Sequence, residues 1–197
     1  MQEINFWFSI GSTYTYLTVS RLSEIIEAEN LKINFFPFSV RTVMKDMDNI
    51  PFPPSKKPKV DHMWRDIQRR AMHYKINVPE VPVPYPLKDL DLANCVAIVG
   101  LQEGWILKYL EETYKLWFLN WSEAGSLENL NVSLTKIKLN SNEVITKARS
   151  SKIVDLYNGN TSEAKVKNVF GSPTFIVGKE LFWGDDRLED AIKWSKM

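Results

Sequence analysis

The chain has 197 residues, enough for one domain, or for one domain with a large insertion, and for a substantial core. Its 25 Lys and Arg and 24 Asp and Glu nearly cancel, and both signs run through the chain, so charge gives no general pull toward nucleic acid or a membrane surface. A single cysteine, Cys95, excludes a disulfide framework and a CxxC redox pair, and two histidines, His62 and His73, leave no Cys/His cluster for zinc.

The opening stretch organises the rest. Ile4-Asn5-Phe6-Trp7-Phe8 is an apolar, aromatic run that reads as a buried strand. A polar break, Ser9 to Thr13, carries one glycine, and Tyr14, Tyr16, Leu17, Val19, Leu22, Ile25 and Ile26 follow at helical spacing. Strand, turn and helix begin a βαβ unit, with Ser12 at the junction. Two readings of Ser12 stand here. It caps the helix, or it lies where unpaired N–H groups and the helix dipole stabilise an anion such as a thiolate.

Leu31 to Pro37 alternates and predicts a second strand ended by proline. Arg41 to Met47 suits a short helix, and Asn49 to Pro58, with four prolines, an irregular loop. Lys56, Lys57 and Lys59 read as a solvated face, or as a face from which one lysine reaches an anionic ligand. Val60, Met63, Trp64, Ile67, Ala71 and Tyr74 form a helical stripe, followed by the proline-rich stretch Pro79 to Pro86. Further stripes are Leu87 to Leu101, Leu107 to Trp121, Leu127 to Ile137 (capped by Ser126) and Val144 to Ala148 (capped by Ser141). Cys95 lies in an apolar run and reads as a small core residue. The Trp/Tyr stripe is most simply core, with pocket walls for a flat substrate as the alternative.

The last segment returns to mixed patterning. Asn160-Thr161-Ser162-Glu163 resembles a capping box opening a short helix. Thr174 to Val177, the turn Gly178-Lys179 and Glu180 to Trp183 predict a hairpin. Gly184-Asp185-Asp186 leads into a final helix, with Asp186 and Glu189 as a second capping box. The pattern is α/β, with residues 1–40 and 158–197 forming a sheet domain and 41–157 an all-helical insertion. No basic segment precedes an apolar N-terminal core, and no run of 18 apolar residues occurs, which leads to the expectation of a soluble, cytoplasmic protein.

Three stretches carry a resemblance. Phe8-Ser9-Ile10-Gly11-Ser12-Thr13-Tyr14-Thr15-Tyr16-Leu17 resembles the motif D-F-x-S-P-x-S-Y-L, with Ser9 in place of Asp and Thr13 in place of Pro. Val169-Phe170-Gly171-Ser172-Pro173-Thr174 resembles G/V-F-G-x-P-T, and Trp183-Gly184-Asp185-Asp186-Arg187-Leu188 resembles W-G-x-D-R-L. In this order, nearly end to end, they are similar to the 2-hydroxychromene-2-carboxylate isomerase and kappa-class glutathione transferase family. That resemblance implies a thioredoxin-like fold with a helical insertion, as in the periplasmic disulfide oxidoreductases.

It also implies a site. Ser12 donates a hydrogen bond to the glutathione sulfur. Pro173 is cis and frees the Ser172 backbone to pair with the tripeptide as an added strand; read alone, Ser172-Pro173 is a trans proline opening a strand. Asp186, with Asp185, meets the γ-glutamyl amino group beside Trp183, and the helix end takes the adjoining carboxylate. Asn49 and Ile50 line the glycyl end, whose carboxylate Lys59 or Arg41 takes. The implied cofactor is glutathione, the partner a small electrophile, and the assembly a homodimer. Three functions follow: a glutathione-dependent isomerase acting on aromatic degradation products, a kappa-class transferase, or a non-catalytic thioredoxin-fold binding module. Disulfide redox activity is disfavoured by the cysteine count.

Overall fold

The computed structural model describes residues 2–50, 52–53 and 55–197. Pro51 and Pro54, two prolines of the expected loop, lie outside the described residues. The opening apolar run forms β1 (Ile4–Phe8), followed by α1 (Thr15–Glu29) and β2 (Ile33–Pro37). After the helices α2 (Val40–Asp46), α3 (Lys57–Tyr74), α4 (Leu90–Glu103), α5 (Ile106–Asn120), α6 (Leu127–Lys136), α7 (Ser141–Ala148) and α8 (Ser151–Val166), the chain returns to β3 (Thr174–Val177) and β4 (Glu180–Trp183). A 3-10 turn, Asp185–Arg187, leads into α9 (Leu188–Ser195).

The four strands form one sheet in the order β2-β1-β3-β4. β1 and β2 are parallel, with Phe6 opposite Phe35, as a helical crossover requires. β3 runs antiparallel to both β1 and β4, so the hairpin from the far end of the chain lies beside the first strand. The two-residue period of a strand assigns the faces. Phe6, Phe8 and Phe175 point into the main core with Leu17, Leu22, Leu188 and Ile192. Trp7 and Ile176 point the other way, against Phe38, Val40, Val43, Ala164 and Val169. Trp7 stacks on Phe36 at 4.4 Å between ring centroids. The two central strands, β1 and β3, are covered on both faces, which explains why they read as nearly continuous apolar runs, whereas β2 at the edge alternates.

The helices of α3 to α7 extend this core without a break. Met63, Ile67, Val96, Val99, Tyr114, Trp117, Phe118, Leu130 and Ile145 all belong to it. The Trp/Tyr stripe of α5 is therefore core at Tyr114, Trp117 and Phe118, whereas Trp121 beyond its end is 53% exposed. Cys95 is a buried core residue, as its run suggests.

Several local expectations change. The Asn160–Glu163 pattern does not open a helix but lies inside α8. The Asn160 amide, which capping would need, instead donates to the Pro37 carbonyl at 3.0 Å, and Thr161 beside it donates to the Tyr157 carbonyl and accepts from the Ser39 N–H. Ser126 does cap α6, accepting from Asn129 N–H. At α7 the cap is Asn140, whose amide oxygen reaches two N–H groups, and Ser141 is the first helical residue. Asp186 forms no cap for α9, because the intervening 3-10 turn moves the helix start to Leu188. No helix among the described residues is long and apolar enough to cross a membrane, and no cluster of three or more His, Cys, Asp or Glu among them could hold a metal ion.

Candidate active site

The site forms where the end of β1 meets the start of β3. The Ser172-Pro173 bond is cis. The Ser12 hydroxyl donates to the Ser172 carbonyl at 2.6 Å, joining residues 160 apart in sequence. Ser12 is thus not the cap of α1. The residue at that position is Tyr14, which makes no side-chain cap bond, and Ser12 lies two residues outside the helix. Its hydroxyl faces the proline turn near the N-terminal end of α1, where the helix dipole favours an anion.

Beneath Ser12 lies a buried polar layer. The Ser172 hydroxyl accepts from Ser9 N–H at 2.9 Å and pairs with the Thr15 hydroxyl at 2.9 Å. Tyr114 Oη, fully buried on α5, sits 3.2 Å from the Ser9 carbonyl and 3.3 Å from the Ser12 carbonyl. Burial pushes the Tyr114 phenol well above its ordinary pKa, so it stays a donor. Asn94 of α4 clamps the same turn. Its Oδ1 accepts from Ile10 N–H at 2.8 Å, and its Nδ2 donates to the Ile10 and Leu90 carbonyls. The insertion helices therefore set the backbone that presents Ser12.

The second wall is the segment after β4. Gly184 N–H donates to the Pro173 carbonyl at 3.0 Å, which ties residues 184–187 to the cis turn. Gly171 has no Cβ for a spatial reason: one placed there would come 2.2 Å from Nε1 of Trp183. Trp183 also meets Phe170 edge-on and is half exposed. Asp186 is half exposed and 3.6 Å from Arg187. Asp185 differs from Asp186, because its side chain is buried and faces Arg70 of α3. Arg70 Nη2 donates to it at 2.8 Å and Tyr74 Oη at 3.0 Å. Burial pushes the Asp185 carboxyl up, with the Arg70 bonds and charge pulling it back.

Of the residues expected from sequence, Ser12, Ser172, Pro173, Trp183, Asp185 and Asp186 come together around this turn. Asn49 and Ile50 follow α2 and are exposed, and Lys59 lies over the Phe52 ring at 5.4 Å. No hydrogen bond joins those three to the Ser12–Pro173 turn among the described residues. Arg41 is committed to the Leu87 carbonyl at 2.8 Å, beside Tyr85. Asn94, Tyr114, Thr15 and Arg70 were not foreseen. Asn94 did leave a signal, as a lone amide inside an apolar helical run. Tyr114 and Arg70 left none, because each acts across the fold.

Cys95 takes no part in this cluster. Burial, with Asp91 and Asp89 nearby, pushes its thiol up to about 12. Alkylation at pH 8 should run about a thousandfold slower than for a free cysteine and reach the free rate in denaturant. Fast labelling of the folded protein, followed by mass spectrometry, would contradict the burial.

Comparisons with known proteins bear on the fold and the family. The chain is 24% identical over 193 residues to the 2-hydroxychromene-2-carboxylate isomerase of Sphingobium xenophagum, covering 95% of each chain. It is 26% identical over 190 residues to the protein of that name from Pseudomonas putida, covering 94% of this chain and 90% of that one. A solved 2-hydroxychromene-2-carboxylate isomerase superposes with a TM-score of 0.86 at 22% identity, over 98% of this chain and 94% of that one. The cytosolic disulfide reductase DsbM of Pseudomonas aeruginosa, solved with GSH, superposes at 0.66 and 9% identity, over 98% and 96%. The model of the DsbA-like thioredoxin domain matches residues 3–192, and with the β1-α1-β2 and β3-β4-α9 halves meeting at a cis-proline turn, the chain belongs to that family.

Proposed function

We propose that the protein is a glutathione-dependent isomerase of the 2-hydroxychromene-2-carboxylate type, acting on an unsaturated carbonyl substrate from aromatic degradation. The observation that carries this reading is the Ser12 hydroxyl set against the carbonyl of the cis Ser172-Pro173 bond. The relatives named as isomerases extend over nearly the whole chain, and a fold neighbour was solved with GSH. The fit of a thiol tripeptide rests on this chain's own groups: one hydroxyl, the N-terminal end of α1 and a backbone edge at Ser172. A cysteine at position 12 would suit disulfide exchange; a serine suits holding the thiol of a ligand.

Bound glutathione supplies a thiolate that adds reversibly to an electrophilic carbon and leaves unchanged once the substrate bond has turned. The chain's residues prepare for this. Serine's hydroxyl is too weak an acid to act as nucleophile without a base, and no His or Lys contacts it. Its one proton rests on the Ser172 carbonyl until an anion comes within reach. Turning that proton outward frees the carbonyl to accept a backbone N–H of the tripeptide. One hydrogen bond to a charged acceptor contributes about 1.5–3 kcal/mol. The helix end adds about 0.3–1 kcal/mol. Together they lower a thiol pKa of about 8.5 by one to two units or more. The Tyr114 and Asn94 clamps fix the turn, so little reorganisation is left to the moment of reaction.

A kappa-class transferase uses the same site but consumes its thiol. The test is calorimetry with reduced glutathione, then free-thiol counting during turnover of an unsaturated aromatic ketoacid. Binding at millimolar ligand or below with constant thiol is expected. Thiol consumed in step with substrate would establish the transferase, and absence of binding would leave the non-catalytic module. With Cys95 buried, the counted thiol is the ligand's.

A further inference from the structure

The geometry points to Arg70 as the residue that reads the α-carboxylate of the bound thiol peptide's γ-glutamyl end, paired with Asp186 for the α-ammonium. This rests on the glutathione reading and adds a specificity-determining residue to it.

Four observations converge. Arg70 holds Asp185 through one edge of its guanidinium: Nε lies 3.3 and 3.1 Å from the two carboxylate oxygens, and Nη2 lies 2.8 Å from one of them. That grip uses the Nε–Nη2 edge and leaves Nη1 away from it, with no hydrogen-bond partner among the described residues. The Arg70 side chain is 26% exposed while that of Asp185 is 1% exposed, so solvent reaches the arginine but not the carboxylate it holds. Tyr74 Oη contacts both Asp185 and Arg70 Nη2, which fixes the fork from a third direction.

The position is the second part of the case. Asp185 follows directly on Gly184, whose N–H is bonded to the Pro173 carbonyl, so Arg70 is tied to the end of the cis turn that holds Ser12. Asp186, half exposed, is the residue next to the Asp185 that Arg70 grips, and it also pairs with Arg187 at 3.6 Å. A cation on Asp185 and an anion at the next residue match the two charges of an amino-acid head group. With Nε and Nη2 taken by Asp185 and Tyr74, Arg70 offers the two N–H groups of Nη1, charge-assisted donors to a carboxylate oxygen. A buried ion pair is a poor source of stability, because removing two charges from water offsets most of their attraction. Holding a guanidinium in one orientation is a role that fits this cost. Arg21 supports the clamp from α1, donating to the Asp185 carbonyl at 2.9 Å and stacking on Tyr74 at 3.9 Å.

Calorimetry with two thiol peptides tests this: glutathione, and γ-aminobutyryl-cysteinylglycine, which keeps the amine and lacks the α-carboxylate. The wild-type protein should bind glutathione roughly ten- to hundredfold tighter, as a charge-assisted contact implies. Arg70→Gln should remove that preference by weakening glutathione alone, leaving the analogue within about twofold. Should Arg70→Gln strand Asp185 and unfold, the double variant Arg70→Gln/Asp185→Asn replaces the ion pair with a neutral one, and the same loss of preference is expected there. A preference retained in either folded variant overturns the assignment. Equal affinity of the wild-type protein for both peptides overturns it too, while the glutathione reading stands. Failure of the wild-type protein to bind either peptide overturns both.

Discussion

Ser12→Ala should lower turnover about ten- to hundredfold at pH 7 and abolish most of the ultraviolet thiolate absorbance of bound glutathione. The magnitude comes from the lost hydrogen bond, about 1.5–3 kcal/mol, or one to two pKa units. Glutathione should still bind, because Ser12 contributes one contact among those to a whole tripeptide. Its affinity should weaken by no more than the factor by which the thiolate was favoured, since pKa and binding are linked. The pH dependence gives the sign. With the thiol held as thiolate at neutral pH, as proposed, the wild-type rate should be nearly flat from about pH 7 to 9. The variant's rate should climb toward the wild-type value as pH passes the ordinary thiol pKa of about 8.5. Equal absorbance and an equal pH profile in the two proteins would remove Ser12 from this role. Folding should be little affected, as the residue is at the surface of the turn and the Ser172–Ser9 and Ser172–Thr15 bonds remain.

Asn94→Ala should cost about 3–5 kcal/mol of stability, the largest loss expected from a single polar residue here. The side chain is fully buried and satisfies both the N–H and the carbonyl of Ile10, as well as the Leu90 carbonyl. Alanine leaves the Ile10 N–H and carbonyl dry and unpaired at about 1–3 kcal/mol each, and adds a cavity, while the Leu90 carbonyl keeps its helical N–H partner. For a domain near 200 residues this amounts to a fall of roughly 8–15 °C in melting temperature. Because Ile10 is two residues from Ser12, the surviving folded protein should also bind glutathione more weakly than wild type. A thermal shift under about 3 °C would show that water or a moved helix replaces the amide.

The two predictions show which parts of the fold could be read in advance. Strands with a two-residue period and helices with long apolar stripes are local signals. β1, β2, the β3-β4 hairpin and the six helices from α3 to α7 and α9 followed from them, with ends displaced by a few residues. Ser12, Ser172, Pro173 and Asp186 were legible only because three short motifs occur together. Capping was least legible. Asn140 was passed over for its neighbour Ser141, and the Asn160–Glu163 and Asp186–Glu189 pairs cap nothing, because tertiary partners or a 3-10 turn took over those groups. Asp185 and Asp186 are adjacent and chemically identical in sequence. Their separation into a buried anchor and an exposed carboxylate depends on Arg70, more than a hundred residues away. No local pattern carries such a pairing.

The bond between Ser12 and Ser172 has a consequence for biosynthesis. A ribosome emits Ser12 160 residues before Ser172, and at about 5–20 residues per second the two are apart for many seconds. Until the hairpin joins the sheet, neither piece alone can grip a ligand. Truncations lacking the last strands should therefore be devoid of binding, and capture on immobilised glutathione would separate finished molecules from nascent ones.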